Sequence, residues 1–177
     1  MSVSTANEEG NIRIYLIEGP VGAGKSTYAA TLGQRNDAVR VNLDEWMATL
    51  FAPDSPGPGS WDWYIERKQR CIEQIWNLST DLLDSHSSVV LELGLIQKAD
   101  RENFYRRLDA TEYKLSVIVV DAPLEVRRGR VQNRNAEQDA TYRMHVNEEV
   151  FELANRMWQE PDDEECLERD ICKVSTN

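Results

Sequence analysis

Gly19-Pro20-Val21-Gly22-Ala23-Gly24-Lys25-Ser26 constrains this chain more than any other stretch, because its G-x-x-x-x-G-K-S spacing demands a particular path on both sides. Its glycines allow backbone angles closed to other residues and keep side chains out of the concavity, so that successive N–H groups can point inward at an anion. Such a loop must leave a strand and enter a helix. Residues 12–17, Ile-Arg-Ile-Tyr-Leu-Ile, read as a short buried strand, and residues 26–32 read as a helix stopped by Gly33.

Strand, loop and helix together define a phosphate-binding P-loop. Residues Gly19, Pro20, Val21, Gly22, Ala23, Gly24, Lys25, Ser26 and Thr27 would line the nucleotide's phosphates. Lys25 would reach the β- and γ-phosphates, the Ser26 hydroxyl would ligate Mg²⁺, and the first helical turn would offer its positive end to the anion.

The rest of the chain alternates in the same way. Further strands are expected at 39–43, 88–92, 115–120 and, shorter, 171–174. Helices are expected at about 61–85, 98–108, 124–133 and 147–159. Near-continuous Val, Ile and Leu strands separated by helices predict an α/β three-layer sandwich, a parallel five-stranded sheet with helices on both faces. With 177 residues, 41% of them hydrophobic, the chain supports one domain, 11–177, after a polar and disordered N-terminus at 1–10. The insert 52–60 carries Pro53, Pro56, Pro58, Gly57 and Gly59 and reads as a loop.

Composition narrows the functional classes. No apolar run approaches the roughly 18 residues that span a bilayer, and none follows a basic segment, so the expected location is cytoplasmic, without a membrane partner. Cys71, Cys166 and Cys172 lack the C-x-x-C spacing of a zinc site and are odd in number. The net charge of −11, from 31 acidic and 20 basic residues, disfavours a nucleic-acid surface. Part of that acid, 161–165 (Pro-Asp-Asp-Glu-Glu), reads as a solvated loop.

In an open parallel sheet, ligands sit beyond the carboxyl ends of the strands. Asp44 follows the second strand, Glu92 ends the third and Asp121 ends the fourth. Asp44 is the candidate general base for a hydroxyl that attacks a γ-phosphate; capping of the next helix is its alternative role. Glu92, after Val89-Val90-Leu91, resembles an acid that holds Mg²⁺, and Asp121, followed by Ala122-Pro123, is the competing candidate.

Four arginines crowd residues 127–134. Arg127, Arg130 and Arg134 share one helix face by their spacing, either as a solvated stripe or as a mobile lid over 124–145 that neutralises migrating charge, with Arg130 and Arg134 as its contacts. Arg101, near the start of its helix, is a further residue that could face the site. Trp46, Met47, Trp61, Trp63, Tyr64 and Arg67 crowd the Pro/Gly insert. They read either as a pocket for a ring-bearing or sugar-like acceptor or as a helical stripe packed into the core. His86 and His145 are isolated and carry no assigned chemistry.

This ordering of motifs, with 42–47 (Asn-Leu-Asp-Glu-Trp-Met), 89–94 (Val-Val-Leu-Glu-Leu-Gly) and Asp121-Ala122-Pro123 after the loop, resembles the small AAA-type P-loop kinases grouped with phage polynucleotide kinase, zeta toxins and chloramphenicol phosphotransferase. The resemblance covers residues 11–160 or so. It implies a nucleoside-monophosphate-kinase-like fold, ATP with Mg²⁺, Asp44 as base, and Arg130 and Arg134 as lid arginines. Where polynucleotide kinases carry an arginine three residues after the base, this chain has Met47. Where they carry an acid after the third strand, it has Leu93. Both departures favour a small-molecule hydroxyl acceptor over a nucleic-acid end. A polynucleotide-kinase or zeta-toxin type enzyme, and an ATP-binding regulatory module or ATPase without acceptor, stand as alternatives. A guanine-reading N-K-x-D segment is absent. The acceptor's identity and the oligomeric state are left open.

Overall fold

The computed structural model describes residues 12–57, 59–137 and 146–177. The expected disordered N-terminus, residues 138–145 of the expected lid, His145 among them, and Pro58 lie outside the described residues. The order of elements is β1 (Arg13–Glu18), α1 (Lys25–Asn36), β2 (Val39–Asn42), α2 (Leu43–Leu50), α3 (Trp61–Asp84), β3 (Val89–Glu92), α4 (Lys98–Asp109), β4 (Lys114–Asp121), α5 (Leu124–Glu137), α6 (Glu148–Met157), α7 (Asp163–Glu168) and β5 (Ile171–Ser175). A short 3-10 turn, Ala52–Asp54, opens the Pro/Gly insert.

The five strands form one sheet in the order β2-β3-β1-β4-β5, with every neighbouring pair parallel. The expected three-layer α/β sandwich is the observed one. β3 is buried throughout because helices cover both of its faces, which explains its unbroken Val-Val-Leu run. Along β1, side chains alternate between two cores. Ile14 and Leu16 join Leu91, Val117 and Val119 under α2, α3 and α4, whereas Ile17 joins Val90, Ile118, Val120 and Ala29 of α1. A third, small cluster of Val131, Val146 and Phe151 packs α5 and α6 beside Val21 of the loop.

Three local expectations are corrected. Gly33 does not stop the first helix, which runs on to Asn36 and ends at Asp37 in the left-handed region (φ 50°). Gly33 lies inside it because an added Cβ would stand 3.1 Å from the Ala38 carbonyl oxygen, too close for ordinary contact. Residues 161–165 are not a solvated loop: Asp162 caps α7 by accepting from the Glu165 N–H, and Glu165 turns inward. Arg101 does not face the phosphate loop. It is fully buried, its Nε and a terminal nitrogen each 2.8 Å from a Glu165 oxygen, and it also donates to the Gln159 carbonyl at 2.7 Å. That network pins α4 to the segment that returns the chain to β5.

Candidate active site

The loop between β1 and α1 has the backbone its glycines were expected to supply. Gly19, Gly22 and Gly24 hold φ of 143°, 78° and 90°. At Gly19 a Cβ would stand 2.0 Å from the Val120 carbonyl oxygen, and at Gly22 2.5 Å from that of Arg127, so close approach as well as angle requires glycine there. The cradle is braced from outside. Arg127, buried, donates to the carbonyls of Ala122 (3.0 Å) and Val21 (3.3 Å) and to Asn155 Oδ1 of α6. Thr176, just past β5, donates to the Ala23 carbonyl at 2.8 Å and accepts from Arg130 at the same distance.

Lys25 bends back over the loop, its Nζ donating to the carbonyls of Gly19 (2.8 Å) and Pro20 (2.9 Å). Its ammonium is held below the usual lysine range by burial, an effect opposed by the negative charges of Glu18, Asp44 and Glu92 and reinforced by Arg134. The expected base, metal acid and distal lid arginine therefore all act on the ammonium of the expected phosphate lysine. Beside it the Ser26 hydroxyl donates to Glu92 Oε2 at 2.8 Å. Two hard oxygen donors at this spacing, next to a glycine cradle, suit a Mg²⁺ ion that takes its remaining ligands from phosphates and water. Among the described residues no cluster of three or more His, Cys, Asp or Glu forms an all-protein metal cage.

Asp44 is exposed in the first turn of α2 and is not its cap. Asn42 performs that job, its side chain accepting from the Glu45 N–H at 3.0 Å, which leaves the Asp44 carboxylate without a capping role. Burial first, and then the same negative charge, push the Tyr64 phenol on α3 upward. Asp121 is engaged elsewhere: its Oδ1 accepts from the Ala122 N–H at 2.8 Å in the β4–α5 turn and lies 3.7 Å from Arg127.

Of the aromatic candidates, Trp63 pairs edge-to-face with Phe51, and the Arg67 guanidinium stacks 4.2 Å above the Trp63 ring. Trp46 is half-buried against the core, Met47 is buried within it, and Trp61 stands 66% exposed at the start of α3. Two surface clefts of about 320 and 470 Å³ lie apart from all of this, along α4 and the α7–β5 return. Their arginines are already engaged: Arg169 forks onto Asp109, and Arg106 bonds Asn103.

Sequence reasoning missed two site residues. Arg40 of β2 clamps Glu92 from the side away from Ser26, with its Nε 2.7 Å and a terminal nitrogen 2.6 Å from Oε1, and it also reaches Glu45 at 3.0 Å. A lone charge between Val39 and Val41 in the strand was the available signal. Glu18, the last residue of β1, is 1% exposed, and burial among apolar neighbours pushes its carboxyl up to about 8 despite nearby Lys25 and Arg101. A charge ending an apolar run immediately before the loop was its signal.

A parallel sheet of order 2-3-1-4-5, with a glycine cradle at the carboxyl end of its central strand, defines a P-loop protein of the nucleoside-monophosphate-kinase-like kind. The chain belongs to the AAA domain family, whose profile matches residues 14–169. Its fold is similar to that of a sugar kinase from a Janibacter species (12% identity, covering 93% of this chain and 86% of that one, TM-score 0.63). It is also similar to the APS kinase of Mycobacterium tuberculosis in complex with AMPPNP and APS (16%, 93% and 88%, TM-score 0.62). A gluconokinase from Sinorhizobium meliloti shares it as well (14%, 92% and 82%, TM-score 0.56). At these identities the likeness is one of fold. A comparison with curated proteins finds no significant match. Among the described residues no helix is long and apolar enough to cross a membrane.

Proposed function

We propose that this protein is a cytoplasmic, Mg²⁺- and ATP-dependent kinase that transfers the γ-phosphoryl group to a hydroxyl of a small-molecule acceptor. The observation that carries the proposal is the glycine cradle at the carboxyl end of β1, with Lys25 folded onto its Gly19 and Pro20 carbonyls and Ser26 hydrogen-bonded to Glu92 beside it.

In this reading the N–H groups from Gly19 to Thr27 hold the triphosphate. Lys25 exchanges the Gly19 and Pro20 carbonyls for β- and γ-phosphate oxygens. Ser26 and Glu92 hold Mg²⁺, which would offset charge on the phosphates. Asp44 accepts the acceptor's hydroxyl proton as that oxygen attacks phosphorus. Arg134, whose Nε is buried without a hydrogen-bond partner, swings onto the transferring group from α5, while Arg130 steadies the loop through Ala23. The acceptor rests against Trp63, Tyr64 and Arg67, with Trp46 and Met47 behind and Trp61 at the rim. Met47 and Leu93, both buried and apolar, stand where polynucleotide kinases carry charge, and this supports a small acceptor over a nucleic-acid end.

The test is γ-phosphoryl transfer against nucleosides, sugars, aminoglycosides and oligonucleotides, with two variants. Lys25→Ala should abolish transfer, and unchanged turnover would refute the loop assignment. Asp44→Asn should keep ATP affinity within a few fold while turnover drops by roughly 10² or more. Tight ATP binding with no product from any acceptor would instead identify a nucleotide-binding regulator.

A further inference from the structure

On its outer side the phosphate loop meets one hydroxyl that decides how a loop peptide is turned. Thr176 stands just past β5, where its N–H donates to the Asp121 carbonyl at 2.8 Å and continues the register of β5 on β4. Its side chain reaches Ala23, a fully buried residue of the loop. A hydroxyl has one proton to give, and the nearer acceptor is the Ala23 carbonyl oxygen at 2.8 Å, against 3.3 Å for that of Asp121. Arg130 donates to the same hydroxyl at 2.8 Å, and a charged donor on its lone pair polarises the bond that it makes onward. Arg130 itself lies 3.4 Å from the Ala23 oxygen, longer than an ordinary N–H···O bond, so the hydroxyl is the main donor there.

The consequence falls on the next N–H. No described peptide bond is cis, and a trans peptide points its C=O and the following N–H to opposite sides. With the Ala23 oxygen drawn outward to Thr176, the Gly24 N–H is turned away from it. Among the described residues this N–H makes no hydrogen bond, whereas the Gly24 carbonyl is taken by the Tyr28 N–H at 3.0 Å. Rotating the Ala23–Gly24 peptide changes ψ of Ala23 and φ of Gly24. Gly24 sits at φ 90°, and glycine accepts φ of either sign, so its own backbone does little to prevent the rotation. A rotated peptide would present the Ala23 oxygen, in place of an N–H, to an anion in the cradle.

We propose that Thr176 is a positioning residue of the nucleotide site: its hydroxyl, backed by Arg130, holds the Ala23–Gly24 peptide with the N–H directed into the cradle, ready for a phosphate oxygen. The proposal rests on the nucleotide-binding part of the kinase reading and adds to that site a residue 153 positions from Ala23. Without the hydroxyl, the Ala23 carbonyl keeps only the long contact to Arg130, and a buried carbonyl left short of a partner favours rotation of the peptide. The cradle then loses a donor and gains an acceptor.

The experiment titrates MgADP, which tests the cradle without phosphoryl transfer, into the parent, Thr176→Val and Thr176→Ser by calorimetry. Valine keeps the shape without the hydroxyl, and serine keeps the hydroxyl without the methyl. Ligand-free Tm is measured in parallel, and the Gly24 amide is followed in proton–nitrogen correlation spectra. Thr176→Val should raise the MgADP Kd about fivefold or more, the size of one neutral hydrogen bond, with Tm within about 4 °C of the parent. Thr176→Ser should stay within about twofold of the parent Kd. In the parent the Gly24 amide proton should move downfield as MgADP binds, and in Thr176→Val most of that movement should vanish. Parental affinity and an unaltered Gly24 response in Thr176→Val overturn the proposal. An equal loss of affinity in Thr176→Ser does so too, since the hydroxyl would not be the group that matters. A Thr176→Val protein that melts far below the parent also overturns it, because Thr176 would then support the fold and not one peptide. In each of these cases a parent that binds MgADP leaves the kinase reading standing, whereas a parent that binds none sinks both.

Discussion

Arg101 and Glu165 offer the sharpest quantitative prediction. Arg101→Met keeps the aliphatic bulk but removes two 2.8 Å bonds to Glu165 and the 2.7 Å bond to the Gln159 carbonyl, and it strands a carboxylate that is 5% exposed. Removing one partner of a buried ion pair costs about 3–5 kcal/mol, because the remaining charge keeps its desolvation penalty and loses its compensation. For a chain of this size each kcal/mol lowers Tm by about 2–4 °C, so a fall of roughly 6–20 °C is expected. Urea unfolding followed by tryptophan fluorescence reads this directly, since Trp158 lies 5.7 Å from the guanidinium. The double variant Arg101→Met, Glu165→Leu should recover much of the loss by removing the orphaned charge. Nucleotide affinity should stay within about twofold, because among the described residues Arg101 bonds to the α7 return and the Leu95 carbonyl, and not to the loop. A single variant less than about 1 kcal/mol weaker than the parent would refute the view that this pair anchors α4 to the return.

Three other outcomes are expected. Arg40→Met strips Glu92 of both its guanidinium bonds and should destabilise the ligand-free protein by about 3 kcal/mol in urea unfolding, a loss that shrinks in saturating Mg²⁺-nucleotide; an equal loss with and without ligand would contradict a metal role for Glu92. Gly19→Ala should abolish nucleotide binding by calorimetry, because its Cβ would collide with the Val120 carbonyl, and binding at parental affinity would show that the cradle is not the phosphate site. The raised carboxyl of Glu18, about 8 when folded against an ordinary 4.5, makes the folded state the tighter proton binder between those values. Its contribution to stability is complete below about 4.5 and is lost as pH rises through about 8, so the Tm advantage of Glu18→Met should widen from about pH 5 to about pH 9; a constant gap would place the carboxyl in water.

The elements were legible because their signals are local. Every expected strand and helix in the described residues exists, and the loop glycines adopt the angles their pattern demands. The placement of Asp44 and Glu92 at the carboxyl edge of the sheet was legible from position alone, since parallel strands deliver their last residues to one edge. What escaped notice depends on pairing across the fold. Arg101 and Glu165 are 64 residues apart, and nothing in either segment marks the other as its partner, so the acid-rich stretch read as solvated and the arginine as one that could face the site. Arg40 and Glu92 meet only because β2 lies beside β3, an adjacency set by sheet order. Among the helical arginines, spacing put Arg127, Arg130 and Arg134 on one face correctly. It could not reveal that the first buttresses the loop and the second ties it to Thr176.

The order β2-β3-β1 also works as a ruler. Asp44 and the glycine cradle hang from strands two steps apart, each step about 4.8 Å of hydrogen-bonded backbone, and Glu92 hangs from the strand between them. That gap of about 10 Å is set by main-chain geometry, which side-chain replacement hardly alters. In the proposed kinase, helix α3 and the Pro/Gly insert can therefore be remodelled to admit a different guest while the spacing between the glycine cradle and Asp44 keeps its length.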